Sequence, residues 1–465
     1  MSEPHHLRRR SLVVLLVVTA LGLGYLALAA EPGATGDTAA AATTPAWSVR
    51  RVPQPIVNAV GAQRLQAAID AELGALDACV VATEVGDPVA IVSRSAEGAY
   101  IPASTQKVLT GIAALDLLGA DFRFETPVVA SGAPVDGSVD QLWLVGSGDP
   151  LLATPDYAAF LAGEVFTALD PTTPLTELAD AIAAAGITSI PGGIHGDDSR
   201  YDTERYLPTW SDSYREGGDI GPLGALTVND GFADYEAETF VDDPALGTAQ
   251  RLTELLEERG VSVGEPGHSS APADATPIAS VSSPPLADIV SALIRSSDNL
   301  TAELLMKEIG VTVAGEGTTL AGTTAAIAAL GELGLPTDGL VMVDGSGLDR
   351  GNQVTCPLLV AALDQLDRPE LAGARDGLAV AAETGTLRPR FIGTELAGRL
   401  RGKTGSLSGV SGLTGLIELG YPVEFAFLAA GGFSEAEGHD LADQVATILS
   451  GYPDSPSADE LVPAP

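Results

Sequence analysis

Ser104 and Lys107 bracket the tetrad S-T-Q-K, and Lys403 opens the triplet K-T-G with Thr404 and Gly405. Between them comes S-D-N, Ser297 to Asn299. The chain holds only three lysines, Lys107, Lys307 and Lys403, among 24 cationic residues. Arginine keeps its proton, whereas a desolvated lysine gives it up and then acts as a base. Lysine at these positions is therefore more informative than in an ordinary composition. A serine and a lysine three apart share one face of a helix. There a neutral Lys107 would accept the Ser104 proton. Burial favours the neutral form, and a second cation nearby, Lys403, would favour it further. Ser297 would relay the proton to a leaving amine, and Asn299 would hold Lys107 and a substrate amide. Lys403 and Thr404, followed by Gly405 on an edge strand, would bind a substrate carboxylate while the strand pairs with an extended peptide. The oxyanion of the attacked carbonyl needs two donors, for which the backbone N–H groups of Ser104 and Ser406 are the candidates.

Other chemistries find less support. Of five histidines, only His195, His268 and His439 lie beyond the N-terminal tail, and none adjoins a serine motif. That argues against a Ser–His pair. The pentad GVSVG (260–264) follows a helical stretch and runs into Glu-Pro-Gly, whereas a nucleophile elbow needs a strand before it and a helix after it. Asp298 reads as a turn stabiliser and Lys307 as a helix-surface residue. Gly146, Gly148 and Asp149 read as a turn. No metal-ligand spacing exists, and neither metal nor cofactor is expected. Cys79 and Cys356 are the only cysteines. Export permits a disulfide between them; two separately buried thiols are the favoured reading, because sequence does not fix their distance. Arg388, Arg390, Arg399, Arg401 and Lys403 form either a local positive spot for a carboxylate or a set of solvent-facing strand residues.

These residues need elements to bring them together. Three arginines, Arg8 to Arg10, precede a long apolar run, so residues 1–30 read as an export signal, cleaved or retained as an anchor. The bulk of the chain then lies outside the cytoplasm. Membrane contact is confined to that segment. Residues 31–46 read as a flexible linker and 453–465 as a disordered tail. The formal charge of −38 opposes binding to nucleic acid. With 45% hydrophobic and 18% charged residues, the remainder can bury a sizeable core. Strands are expected at 78–85, 88–95, 398–405, 412–419 and 423–432, and a helix over Ser104–Leu118. Two helical stretches within 283–310 are interrupted at S-S-D-N, whose side chains suit a turn or cap. The pattern gives an α/β (α+β) fold with a five-stranded antiparallel sheet flanked by helices. Its first part spans 47–120 and its second part 276–452. The strand-rich stretch 121–275 between them reads as an inserted domain.

S-x-x-K, S-D-N and K-T-G in this order resemble the motifs of the penicillin-recognising serine enzymes. Further segments, LVGSGDPLL, GDDSRYD, ALTVND, SSDNLTAELLMKEIG, DGSGLDRGNQVT and GRLRGKTGSLSGVSGLTG, are similar to the low-molecular-mass penicillin-binding proteins of the D-alanyl-D-alanine carboxypeptidase/endopeptidase type. The resemblance spans about residues 55 to 450. It implies a transpeptidase-type domain interrupted after its first motif, cleavage of terminal D-Ala from peptidoglycan stem peptides, and acylation by β-lactam antibiotics. Asp349 and Cys356 depart from the pattern, where a serine and a proline are expected. A β-lactamase-like hydrolase and a non-catalytic wall-binding protein that keeps the fold are the alternatives.

Overall fold

Along the strand Asp77–Glu84, Cys79 and Val81 enter one hydrophobic core while Ala78, Val80 and Ala82 enter another. A pleated strand covered on both faces does this, because successive side chains point opposite ways. The computed structural model describes residues 54–453. The expected export segment, the linker and the tail beyond Pro453 lie outside the described residues. Among the described residues, no helix is long and apolar enough to cross a membrane.

In chain order the first group is helix α1 (Gln54–Leu73), strands β1 (Asp77–Glu84) and β2 (Ala90–Arg94), and helix α2 (Lys107–Leu118). A second group follows: β3 (Glu125–Ala130), β4 (Leu142–Val145), α3 (Leu175–Ala184), β5 (Ile194–Asp197), α4 (Pro244–Glu258), β6 (Gly267–His268) and β7 (Thr276–Ser282). The chain then continues through α5 (Leu286–Ser296), α6 (Asn299–Ala314), α7 (Thr319–Glu332), α8 (Cys356–Gln365), β8 (Ala379–Val380), β9 (Leu400–Leu407), β10 (Val410–Ile417), β11 (Val423–Ala430) and α9 (Glu435–Ser450).

The main sheet runs β8-β9-β10-β11-β1-β2 and is antiparallel throughout. The α/β class and the early and late strands match the sequence expectation. The strand number does not: there are six strands, not five. The extra one, β8, has two residues, too few to show a periodicity, and it pairs only with Gly402 and Arg401. Among the described residues, the rest of the outer edge of β9, from Lys403 to Leu407, is therefore left without a strand partner. On one sheet face, α2, α5, α6 and α8 supply a core that includes Val108, Ile112, Leu293, Met306 and Leu359. On the other, α1 and α9 cover Phe425 and Phe427. The sequence of α2 is apolar nearly all round, and every residue from Lys107 to Leu115 is buried.

The second group forms a mixed five-stranded sheet, β6-β5-β4-β3-β7, with its own core against α3 and α4. Thr276–Ser282, which sequence assigns to the second half of the framework, pairs instead with β3 from Thr276↔Ala130 to Ser282↔Glu125. The inserted sheet thus runs a full strand beyond residue 275. A further cluster joins the two sheets' surroundings. It contains Tyr201, Trp210, Leu223 and Ala225 from the insertion, and Ala103, Leu300, Leu348 and Leu407 from the framework. Tyr201, Trp210, Leu223 and Ala225 thus share a core with Ala103, the residue before Ser104.

Two more expectations are corrected. Cys79 and Cys356 are not separate thiols but a disulfide, with Cα atoms 6.2 Å apart, tying β1 to the start of α8. Their separation is a property of the folded sheet, invisible in a sequence distance of 277 residues. Lys307 is not on a helix surface. It is buried on α6, and its Nζ lies 2.6 Å from Asp202 of the insertion. One residue on, Glu308 takes two bonds from Arg200. A helical face that looks solvent-exposed in sequence is covered by the GDDSRYD segment.

Candidate active site

Ser104 sits in a single 3₁₀ turn, Ala103–Gln106, that leads into α2. The residue before it, Ala103, has φ +47°, a left-handed conformation unusual for alanine. Two glycines permit the turn's position. A Cβ on Gly347 would lie 2.0 Å from the Ala103 carbonyl, and one on Gly405 would lie 2.7 Å from that of Pro102. Hence K-T-G ends in glycine: β9 passes so close to the serine turn that a side chain would push it away.

Lys107 is fully buried at the first residue of α2. Its Nζ donates to Ser104 Oγ at 2.9 Å, to Asn299 Oδ1 at 2.6 Å and to the Ser346 carbonyl at 2.7 Å. Ser297 ends α5 with φ +68°, breaking the helix so that Asp298 can cap α6 through the N–H of Leu300. Asn299 then begins α6, with its other amide atom held by the Asp219 carbonyl of the insertion at 2.8 Å. Lys403, also fully buried, donates to Ser297 Oγ at 2.7 Å and to the Thr404 carbonyl at 2.9 Å. Thr404 Oγ1 donates to Thr386 Oγ1 at 2.8 Å. The residues singled out in the three motifs therefore converge. Ser104, Ser297, Asn299, Thr404 and Ser406 line one open cleft of about 760 Å³, while the two lysines lie behind its wall.

The electrostatics follow from burial. Among the described residues, Lys107 and Lys403 have no carboxylate within ion-pairing distance, in contrast to Lys307. Burial pulls Lys107 down to about 8, against the upward pull of Asp344, Asp298 and Glu303. Burial, and then the charge of Lys107, hold Lys403 well below the ordinary lysine range. A lysine that loses its proton near neutrality, hydrogen-bonded to a serine hydroxyl, can accept that hydroxyl's proton.

Sequence reasoning missed the third acceptor on Lys107, the Ser346 carbonyl, and the carboxyls of Glu303 and Asp344 behind it. It also missed Thr386 and the Asp219 carbonyl. A backbone carbonyl leaves no mark in a sequence. Glu303 does leave one, four residues after Asn299 and thus on the same helical face. Of the basic cluster, Arg390 lines the cleft but is bound to Asp443, and Arg401 pairs with Glu418. Asp349 caps Gly351 and accepts no bond from the lysines. In the rejected GVSVG pentad, Ser262 is exposed on a two-residue strand of the insertion.

The D-Ala-D-Ala carboxypeptidase 3 (S13) family matches residues 62–240 and 232–452. The chain belongs to this family. It is 31% identical to a D-alanyl-D-alanine carboxypeptidase of Actinomadura sp., over 80% of each chain. It is 30% identical to a carboxypeptidase of Mycobacterium tuberculosis, over 85% of this chain and 84% of that one. Penicillin-binding protein 4 (dacB) from Haemophilus influenzae shares the fold at 20% identity, with a TM-score of 0.69 over 83% of this chain and 99% of that one. The resemblance drawn from the motifs is thereby borne out at the level of family and fold.

Proposed function

We propose that this protein is a serine-type D-Ala-D-Ala carboxypeptidase that trims peptidoglycan stem peptides outside the cytoplasm, with Ser104 as nucleophile and Lys107 as general base. The observation that carries the assignment is the buried Lys107 Nζ, shared between Ser104 Oγ and Asn299 Oδ1 and without a carboxylate contact among the described residues. The stem peptide lies along the unpaired outer edge of β9, where main-chain bonds align it. Its terminal carboxylate meets the hydroxyls of Thr404 and Thr386, with the positive field of Lys403 behind them. Gly405 keeps β9 against the serine turn.

As Ser104 Oγ bonds to the carbonyl carbon between the two D-alanines, its proton passes to Lys107 Nζ. The backbone N–H groups of Ser104 and Ser406 receive the oxyanion. When the C–N bond breaks, Ser297, held by Lys403, hands a proton to the departing amine and is resupplied from Lys107. Water then attacks the acyl-enzyme, Lys107 takes its proton, and Ser104 recovers its own. A β-lactam would enter the same acylation step, its amide standing in for the D-Ala-D-Ala bond.

Mass mapping after incubation with a fluorescent penicillin tests the assignment. A stable adduct on the Ser104 peptide, absent in Ser104→Ala, is the expected outcome. Rapid loss of that adduct would favour a β-lactamase-like hydrolase. Equal labelling of the Ser104→Ala variant would overturn the nucleophile, and no labelling at all would favour a non-catalytic wall-binding protein.

A further inference from the structure

We propose that Glu303 is a positioning residue for Lys107, clamping the Gly345–Ser346 backbone so that the Ser346 carbonyl stays on the lysine Nζ. The inference rests on Lys107 acting as the base. Glu303 is fully buried on α6, one turn after Asn299. Its Oε1 accepts the N–H of Gly345 at 3.0 Å and that of Ser346 at 2.6 Å. The carbonyl of the same Ser346 is the 2.7 Å acceptor of Lys107. The Gly345 carbonyl is taken by Thr110 Oγ1, on α2 one turn beyond Lys107, at 2.6 Å. Glycine is required on both sides of Ser346. A Cβ on Gly345 would lie 2.6 Å from the Ala302 carbonyl, and Gly347 abuts Ala103. The loop is thus wedged between α6 and the serine turn, with Glu303 as its anchor.

The charge on this anchor matters because of what surrounds it. Lys107 is faced by Glu303 from α6, by Asp298 at its cap, by Asp344 from the loop, by Lys403 from β9, and by the Ser104 and Asn299 dipoles. On the insertion side, Asp219 acts through its carbonyl on Asn299. Asp344 accepts bonds from the N–H groups of Gly347 and Asp349, from Asn352 Nδ2, and from Trp210 Nε1 of the insertion. Burial pushes Asp344 up as well, but that many donors favour its carboxylate form. Glu303 has the N–H groups of Gly345 and Ser346 on one oxygen and the Ser346 hydroxyl beside it, fewer donors than Asp344. Of two adjacent buried acids, Asp344 therefore holds the charge and Glu303 the proton. Burial and Asp344 push Glu303 up to about 8, in keeping with this division. Below about 8 a neutral Glu303 fixes the loop without adding a negative charge, whereas above it the ionised carboxylate raises Lys107 and holds its proton to higher pH.

The test is the acylation rate of the full chain by a fluorescent penicillin, measured across a pH range bracketing the Lys107 value of about 8. Glu303→Ala removes the clamp and is expected to slow acylation by about tenfold to a hundredfold, the scale of a small misplacement of a catalytic group. Glu303→Gln accepts both N–H groups and stays neutral at every pH. It should restore the rate above that of the alanine variant and reach half its plateau at a lower pH than the unaltered protein, by about one unit. A merely structural role would not move that midpoint. The clamp is overturned if the glutamine profile superimposes on the unaltered one, or if the alanine variant acylates at the full rate. Should the alanine variant not fold, the glutamine midpoint decides alone. Normal acylation by Lys107→Arg would instead overturn the base on which this inference rests.

Discussion

A buried lysine needs either a counter-charge or the loss of its proton. Lys307 takes the first course with Asp202, and Lys107 takes the second. The sign of the pH dependence follows. Below about 8, Lys107 is an ammonium ion and cannot take the Ser104 proton. Acylation should therefore rise as the pH passes through about 8 and level off above it, as stopped-flow penicillin binding would show. Lys107→Arg keeps the charge but removes the base, and should cost about a hundredfold to ten-thousandfold in acylation rate. A rate that is flat with pH, or an active arginine variant, contradicts the proposed base. At this scale two of the motifs were legible because lysine is rare in the chain, and S-D-N from its place between them. The support behind them was not. Ser346 contributes a backbone oxygen, and Glu303 reads in sequence as an ordinary helix residue until the loop is folded against it.

Elements position these groups through close approach. β9 and the Ser104 turn touch through Gly405, whose Cβ position is 2.7 Å from the Pro102 carbonyl and 3.1 Å from the Thr105 methyl. Gly405→Ala should destabilise the fold by about 1–3 kcal/mol, the usual cost of overpacking, and slow acylation, because the displaced turn carries the nucleophile. Gly420→Ala, with open space around it, is the matched control and should alter neither. Thermal unfolding and penicillin labelling of the two variants check this; equal behaviour would remove the packing account of the motif glycine. The long strands were legible from their alternating apolar residues and the helices from their apolar faces. The two-residue β8 was too short to register, and the helix expected from Ser104 begins instead with a 3₁₀ turn. That turn is set by contacts with β9 and the 344–349 loop rather than by local propensity.

Across the whole molecule, the insertion is part of the site. Asp219 holds Asn299, Trp210 holds Asp344, and Tyr201 and Leu223 share a core with Ala103 and Leu348. The ion pairs Lys307–Asp202 and Arg200–Glu308 fasten the insertion to α6, the helix that starts with Asn299. The disulfide ties β1, before the insertion, to α8, after it. In sequence the insertion shows only as a change of texture. Neither its hold on the site nor the cysteine pairing is legible there, since both depend on distances that only the folded chain sets. What the assembled molecule does to its substrate is therefore the decisive question. The most direct measurement is mass spectrometry of muropeptides incubated with the full chain and with Ser104→Ala. The account requires pentapeptide stems to lose one alanine with the unaltered protein and to remain intact with the variant. Conversion of cross-linked dimers to monomers in the same digest would add endopeptidase action to that result. Unchanged pentapeptides with the unaltered protein, or equal trimming by both, would contradict it.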